Sequence, residues 1–88
     1  TVLGAQAANE LLNIKGIKAS FVLTEYLGKI YISARSIDEV NVQVILERHG
    51  GGGHMNIAAA HMEDVLLEEG VRIMKKTLDK MIEEGDLE

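Results

Sequence analysis

The sequence predicts a small α/β domain in which a mixed β-sheet of about three strands carries helices mainly on one face. Two runs rich in β-forming residues, 17–24 and 29–36, are separated by a short gap that contains glycine, as in a hairpin. A long stretch with helical periodicity, 67–84, follows later, and shorter helical patterns alternate with the strands. The predicted order is α-β-β-α-β-α. We expect residues 1–88 to form one domain, cut from a longer multidomain chain.

Composition limits the class of protein. The 88 residues are 47% hydrophobic and 26% charged, which is ordinary for a small globular domain. The chain has no cysteine, so it can form neither a disulfide nor a thiolate metal site. No apolar run approaches the roughly 18 residues of a membrane helix, and we expect no membrane contact by these residues. The formal net charge of −5 disfavours a duplex-DNA binder, whose affinity depends on clustered Lys and Arg.

The first three predicted elements are a helix and a hairpin. Residues 4–14 are rich in strong helix formers, and a glycine follows closely. If Leu27-Gly28 is a two-residue loop, Leu23 faces Ile32 and Phe21 faces Ala34. This register collects apolar side chains on one face of the sheet, which suits a sheet covered by helices on one side. A three-residue loop with a bulge at Gly28 would shift the pairing by one residue, and that alternative stays open.

The remaining elements follow from capping and periodicity. Asn41 is a predicted N-cap for a helix of about two turns, which the glycines end, and residues 56–62 form a predicted third strand. In the last helix, apolar residues recur at a spacing of four and three and form one stripe: Leu67, Val71, Met74, Leu78 and Met81. We expect this stripe to dock on the sheet. If it were bare, it would favour a non-catalytic module that binds a partner helix.

Four consecutive glycines, at positions 50–53, precede His54 and are the feature most suggestive of chemistry. Successive main-chain N–H groups in such a segment can form a concave nest that attracts phosphate. His54 adds a side chain that can donate a hydrogen bond or move a proton near neutral pH. A flexible linker is the alternative, but aliphatic residues precede the glycines directly and an alanine cluster follows at 58–60. We therefore expect an embedded loop.

Arg35, at the end of the second predicted strand, is a second candidate. The planar fork of arginine suits phosphate oxygens, although a solvated strand end is the alternative interpretation. The histidines at 49, 54 and 61 are spaced by five and seven residues, which fits no common zinc pattern. We assign no chemistry to His49, and we predict no metal site and no cofactor within these residues.

The order of elements now points to a family. Ser-Ala-Arg-Ser at 33–36, Asn-Val-Gln-Val-Ile at 41–45 and Gly-Gly-Gly-Gly-His at 50–54 resemble the substrate-binding C-terminal domain, DHHA1, of the DHH phosphoesterases. The resemblance covers nearly the whole chain. It is closest to membrane-tethered bacterial cyclic-di-AMP phosphodiesterases of the GdpP type.

The resemblance implies a function and a site. The longer protein would be anchored in the bacterial membrane with its catalytic part in the cytoplasm. Two manganese ions in a separate DHH domain would drive hydrolysis of cyclic-di-AMP to pApA. Gly51, Gly52, Gly53 and His54 would bind the substrate phosphate, His54 also as a transition-state donor, and Arg35 would be a second phosphate contact. The implied partners are a cyclic dinucleotide or another short nucleotide, the DHH domain of the same chain and a second copy in a homodimer.

Two departures from the family pattern bear on these expectations. The chain has one more residue than the family signature between His54 and the alanines, and Ala60 replaces a closing glycine. No Asp-His-His motif occurs, so we expect these 88 residues to be inactive alone. The alternative within the family is an exonuclease or oligoribonuclease that acts on short RNA or single-stranded DNA.

Overall fold

A computed structural model of the chain describes residues 16–85 together with Gly4, Gln6, Ala8 and Asn9. Those four N-terminal residues are helical, and the rest of the predicted first helix lies outside the described residues. The strands and helices of the described part are β1 (Ala19–Tyr26), β2 (Lys29–Ser36), α1 (Val42–Glu47), β3 (Gly52–His54), β4 (Ile57–Glu63) and α2 (Leu67–Glu83).

The β1–β2 hairpin has the predicted register. Phe21 pairs with Ala34 and Leu23 pairs with Ile32, so the two-residue loop is confirmed and the bulged alternative is wrong. Leu27 and Gly28 have φ angles of 51° and 78°. Positive φ at both loop positions is the geometry of a tight turn whose twist matches that of the strands.

The predicted fold class is confirmed, but the sheet differs in two details. It has four strands in the order β1-β2-β4-β3, and every pairing between them is antiparallel rather than mixed. The additional strand, β3, comes from the glycine run that we expected to be a loop. Glycine is depleted in strands, so residue type alone gives no signal for β3.

The core lies between one face of the sheet and the two helices, as predicted. Asn41 caps α1 as expected, with its Oδ1 accepting a hydrogen bond of 3.3 Å from the Val44 N–H. The core cluster unites β2, β4 and both helices through Ile32, Ala34, Val42, Ile45, Leu46, Ala58, Ala60, Met74 and Met81.

The predicted apolar stripe of α2 docks on the sheet along part of its length. Met74 and Met81 are buried, and Leu78 packs against the core. Leu67 and Val71, at the other end of the stripe, remain 38% and 36% exposed. The docking prediction is therefore confirmed for the C-terminal part of the stripe.

The glycine segment approaches β4 so closely that only glycine fits at two positions, Gly51 just before β3 and Gly53 within it. A Cβ on Gly51 would overlap the Ala59 carbonyl oxygen, and a Cβ on Gly53 would lie 2.7 Å from the Ala58 Cα. Gly53 also has a φ of +149°, which side-chain-bearing residues rarely adopt. A Cβ on Gly52, between them, would meet open space.

The opposite face of the sheet carries part of the N-terminal segment. The Ser20 hydroxyl donates a hydrogen bond of 2.7 Å to the Ala8 carbonyl oxygen. Ser20 pairs with Arg35 across the hairpin, so both side chains lie on the face away from α1 and α2.

The end of α1 is tied to α2 by two polar contacts. His49 Nε2 lies 2.8 Å from the Thr77 hydroxyl, and Arg48 forms an ion pair of 3.0 Å with Glu84. Burial lowers the pKa of His49 below its ordinary value. His49 is therefore a packing residue that favours the neutral ring.

We expect Gly53→Ala to lower the free energy of unfolding by at least about 2 kcal/mol, because it adds a main-chain clash to an unfavourable φ. Gly52→Ala is the matched control and should change it by less than about 1 kcal/mol. Urea denaturation of both variants measures the difference. Equal midpoints would contradict the close approach of β3 to β4.

His49 should make stability depend on pH. The buried neutral ring of His49 contributes fully to folding stability above the unfolded-state pKa of about 6.5. That stabilisation is lost as the pH falls through the lowered folded-state pKa. His49→Gln should therefore lose less stability than the wild type between about pH 7.5 and about pH 5 in urea titrations. His61→Gln, at an exposed position, is the control and should behave like the wild type. Identical pH profiles for the wild type and His49→Gln would contradict the assignment.

Candidate functional site

Arg35 and His54 lie on the same face of the sheet, on strands that flank β4. Each of them pairs with Ile57, so the three residues form one row across β2, β4 and β3. Paired residues project to the same face of the sheet. Arg35 and His54 are two strand spacings apart, which places their Cα atoms about 10 Å from each other across the sheet. The sheet therefore brings together two residues that are far apart in sequence.

A cleft of about 290 Å³ lies along this row, and we call it the Arg35–His54 cleft. Its lining includes Ser33, Arg35, Gly52, Gly53, His54 and Ile57. Four of the five predicted site residues thus border one cavity. The fifth, Gly51, lines a neighbouring cleft instead.

The guanidinium of Arg35 is oriented by two hydrogen bonds. Its Nε donates to Asn9 Oδ1 at 3.0 Å, and its Nη1 donates to the Ala34 carbonyl oxygen at 2.8 Å. The side chain is half-buried, so it is not a freely solvated strand end. Among the described residues, no acceptor contacts Nη2, which leaves a donor of the fork for a ligand oxygen.

His54 ends β3 with an exposed side chain. In the described part of the chain, its ring makes no hydrogen bond. An imidazole with an unengaged N–H can donate to an anion, and a protonated one can donate from both nitrogens. Arg35 and His54 together therefore supply donors from two sides of the same cleft.

The glycines contribute differently from the predicted nest. The N–H groups of Gly50 and Gly51 donate to Glu47 and Leu46 carbonyl oxygens at 3.2 and 3.0 Å, so they terminate α1 instead of facing a ligand. Gly52 and Gly53 belong to an edge strand that pairs with β4 alone. An edge strand leaves a row of main-chain N–H and C=O groups unpaired by the sheet, and both glycines also line the cleft.

Two residues that sequence reasoning missed hold the site together. Asn56 Nδ2 donates to Ser36 Oγ at 2.9 Å, and the Ser36 hydroxyl donates to the Val40 carbonyl oxygen at 2.6 Å. The Ser36 N–H also donates to the Asn56 carbonyl oxygen at 3.0 Å. This network fixes the turn after His54 against the end of β2, next to Arg35. The sequence signal that could have identified this network is Asn56, a polar residue directly after His54-Met55 and before the aliphatic run of β4.

The described residues contain no metal centre. No group of three or more His, Cys, Asp or Glu residues lies close enough there to hold an ion. No helix of the same described part is long and apolar enough to cross a membrane. We therefore assign no catalytic step to a metal held by these residues.

Comparison with curated proteins finds relatives among the cyclic-di-AMP phosphodiesterases. The chain is 45% identical over 80 residues to "Cyclic-di-AMP phosphodiesterase PdeA" of Listeria monocytogenes, covering 90% of this chain and 12% of the relative. It is 46% identical over 85 residues to "Cyclic-di-AMP phosphodiesterase GdpP" of Geobacillus thermodenitrificans, covering 96% of this chain and 13% of the relative. The chain thus spans about an eighth of the length of these relatives.

A solved structure has the same fold. An exopolyphosphatase-related protein from Bacteroides fragilis matches with a TM-score of 0.77 and 29% identity, over 84% of this chain and 22% of that one. The family described as the DHHA1 domain matches residues 4–84, which include the cleft and every strand and helix bordering it. The chain belongs to the DHHA1 domain family, as the glycine–histidine motif and the order of its elements predict.

Proposed function

We propose that this chain is the substrate-binding domain of a phosphodiesterase that hydrolyses cyclic-di-AMP, and that it holds a substrate phosphate between Arg35 and His54. The observation that carries the proposal is the Arg35–His54 cleft, in which donors from β2 and β3 face one cavity. Two relatives named as cyclic-di-AMP phosphodiesterases support the choice of substrate.

The chemistry of the cleft suits a phosphate more than a neutral ligand. Arginine offers a planar charged fork to phosphate oxygens, and its orienting contacts reduce the entropy lost on binding. Because the chain carries a formal net charge of −5, attraction of an anion must come from these local donors rather than from the overall field. Such a site favours a small phosphorylated ligand over a long nucleic acid.

Hydrolysis itself belongs, in this proposal, to a DHH domain of the same longer chain. Two manganese ions bound there would activate the water, while Arg35 and His54 orient the phosphate and His54 donates to it as charge develops. The longer protein would be membrane-anchored with this domain in the cytoplasm, and a second copy of the chain is a further expected partner. Burial of Met74 and Met81 weighs against the alternative of a helix-binding module.

We expect Arg35→Ala and His54→Ala each to weaken binding of cyclic-di-AMP and of inorganic phosphate by about tenfold or more, because each loses a charge-assisted hydrogen bond. NMR titration of the 88-residue chain measures this. Arg72→Ala, which removes an exposed arginine from α2, is the matched control and should bind like the wild type. Equal losses in all three variants, or no shifts at residues 35 and 52–54 with millimolar ligand, would contradict the site.

The purified 88-residue chain should show no manganese-dependent hydrolysis of cyclic-di-AMP, because the described residues offer no metal centre. Chromatographic detection of pApA measures this. Turnover that requires added manganese and disappears with chelator would refute the assignment of catalysis to another domain.

A further inference from the structure

A second cleft adjoins the Arg35–His54 cleft. Tyr31, Ala59 and His61 of its lining lie on the same face of the sheet as Arg35, whereas Ala60 belongs to the core face and His49 follows α1. This second cleft has a volume of about 440 Å³, and we call it the Tyr31–His61 cleft after the cross-strand pair that borders it. The two clefts share Ala59 in their linings. A ligand can therefore extend from one into the other without leaving the protein surface.

The side chains that border this second cleft offer ring faces. The Tyr31 and His61 rings have centroids 6.1 Å apart and planes tilted by 37°. Tyr31 is half-buried, and His61 is exposed. Flat bases stack on tyrosine and histidine rings in sites that bind single-stranded nucleotides. The rest of the lining includes His49 and two glycines, Gly50 and Gly51, which have no side chain to fill the cleft.

The position of Tyr31 is unusual for this chain. The sequence contains three aromatic residues of the Phe, Tyr and Trp class. Phe21 packs against the core, and Tyr26 is 58% exposed at the tip of the hairpin. Of these three aromatic residues, only Tyr31 borders the cleft that adjoins the one lined by Arg35 and His54. Tyr31 does not belong to the core cluster, so core packing does not explain an aromatic ring at this position.

The spacing between the two clefts fits one nucleotide. Tyr31 and Arg35 lie four residues apart on β2, with Ser33 between them on the same face. At the rise of a β-strand, the Cα atoms of Tyr31 and Arg35 are about 13 Å apart. A nucleotide whose phosphate lies near Arg35 could extend its sugar and base along β2 towards Tyr31.

We propose that Tyr31 and His61 form a base-stacking subsite that takes the nucleobase of the nucleotide whose phosphate lies between Arg35 and His54. This inference rests on the proposed function, because it uses the same phosphate position. It adds that recognition of the base, and not of the phosphate alone, takes place on this domain.

The test compares adenosine 5′-monophosphate with inorganic phosphate as NMR titrants of the 88-residue chain. Tyr31→Val should weaken binding of the nucleotide by roughly tenfold, the range seen when one stacking ring is removed, and leave that of phosphate unchanged. Tyr31→Phe keeps the ring and should bind the nucleotide like the wild type. Tyr26→Val, at the hairpin tip, is the matched control for loss of a tyrosine and should change neither affinity.

The outcomes separate the two proposals. Shifts at residues 31 and 61 with the nucleotide but not with phosphate support the base subsite. If both titrants shift residues 35 and 54 but neither shifts 31 and 61, the phosphate site stands and the base subsite is overturned. If neither titrant shifts any cleft residue, both proposals are overturned. If Tyr31→Val fails to fold by circular dichroism, His61→Ala replaces it, and unchanged nucleotide affinity there overturns the subsite.

Discussion

The close approach of β3 to β4 is the constraint on which the site depends. Gly51 and Gly53 have no Cβ, so the backbone of β3 and of the residue before it can lie against β4 where a side chain would overlap Ala59, Ala60 or Ile57. This pairing places His54 in the same row as Arg35. The glycines therefore serve the site chiefly through geometry, because they let a short strand form at the edge of the sheet.

Hydrogen bonds around Ser36 hold the turn after His54 in place, in addition to the pairing of β3 with β4. Ser36 is 5% exposed, and its main-chain and side-chain groups bond to both Asn56 and the segment before α1. A buried polar network of this kind is stabilising only when its members are satisfied, and no buried side-chain N or O atom of the described residues lacks a partner. The turn that follows His54 is thus fixed to the strand end that bears Arg35.

The two faces of the sheet have separate roles. One face packs against α1 and α2 and contains the core, including Ala60. Ala60 is accommodated because Gly51, opposite it, has no side chain. The other face carries the Arg35–His54 cleft, the Tyr31–His61 pair and all the donors assigned to a ligand. Substitutions of the side chains that lie on this face, such as Arg35 and His54, can therefore alter binding without disturbing the core.

The sequence by itself determined the presence of the hairpin, the Asn41 cap and the long amphipathic helix, because each depends on neighbouring residues and on a regular apolar period. It left two registers open for the hairpin, and the structure decided between them. The sequence also named His54 and Arg35 as candidate phosphate contacts, because their chemistry is visible in the residue type, and their role stays a prediction. The fourth strand, the role of Asn56 and the Tyr31–His61 pair could not be predicted, since glycine carries no strand signal and these contacts join distant parts of the chain. Only the tertiary structure decided which residues share a cleft, because that depends on which strands pair and on which face each side chain lies.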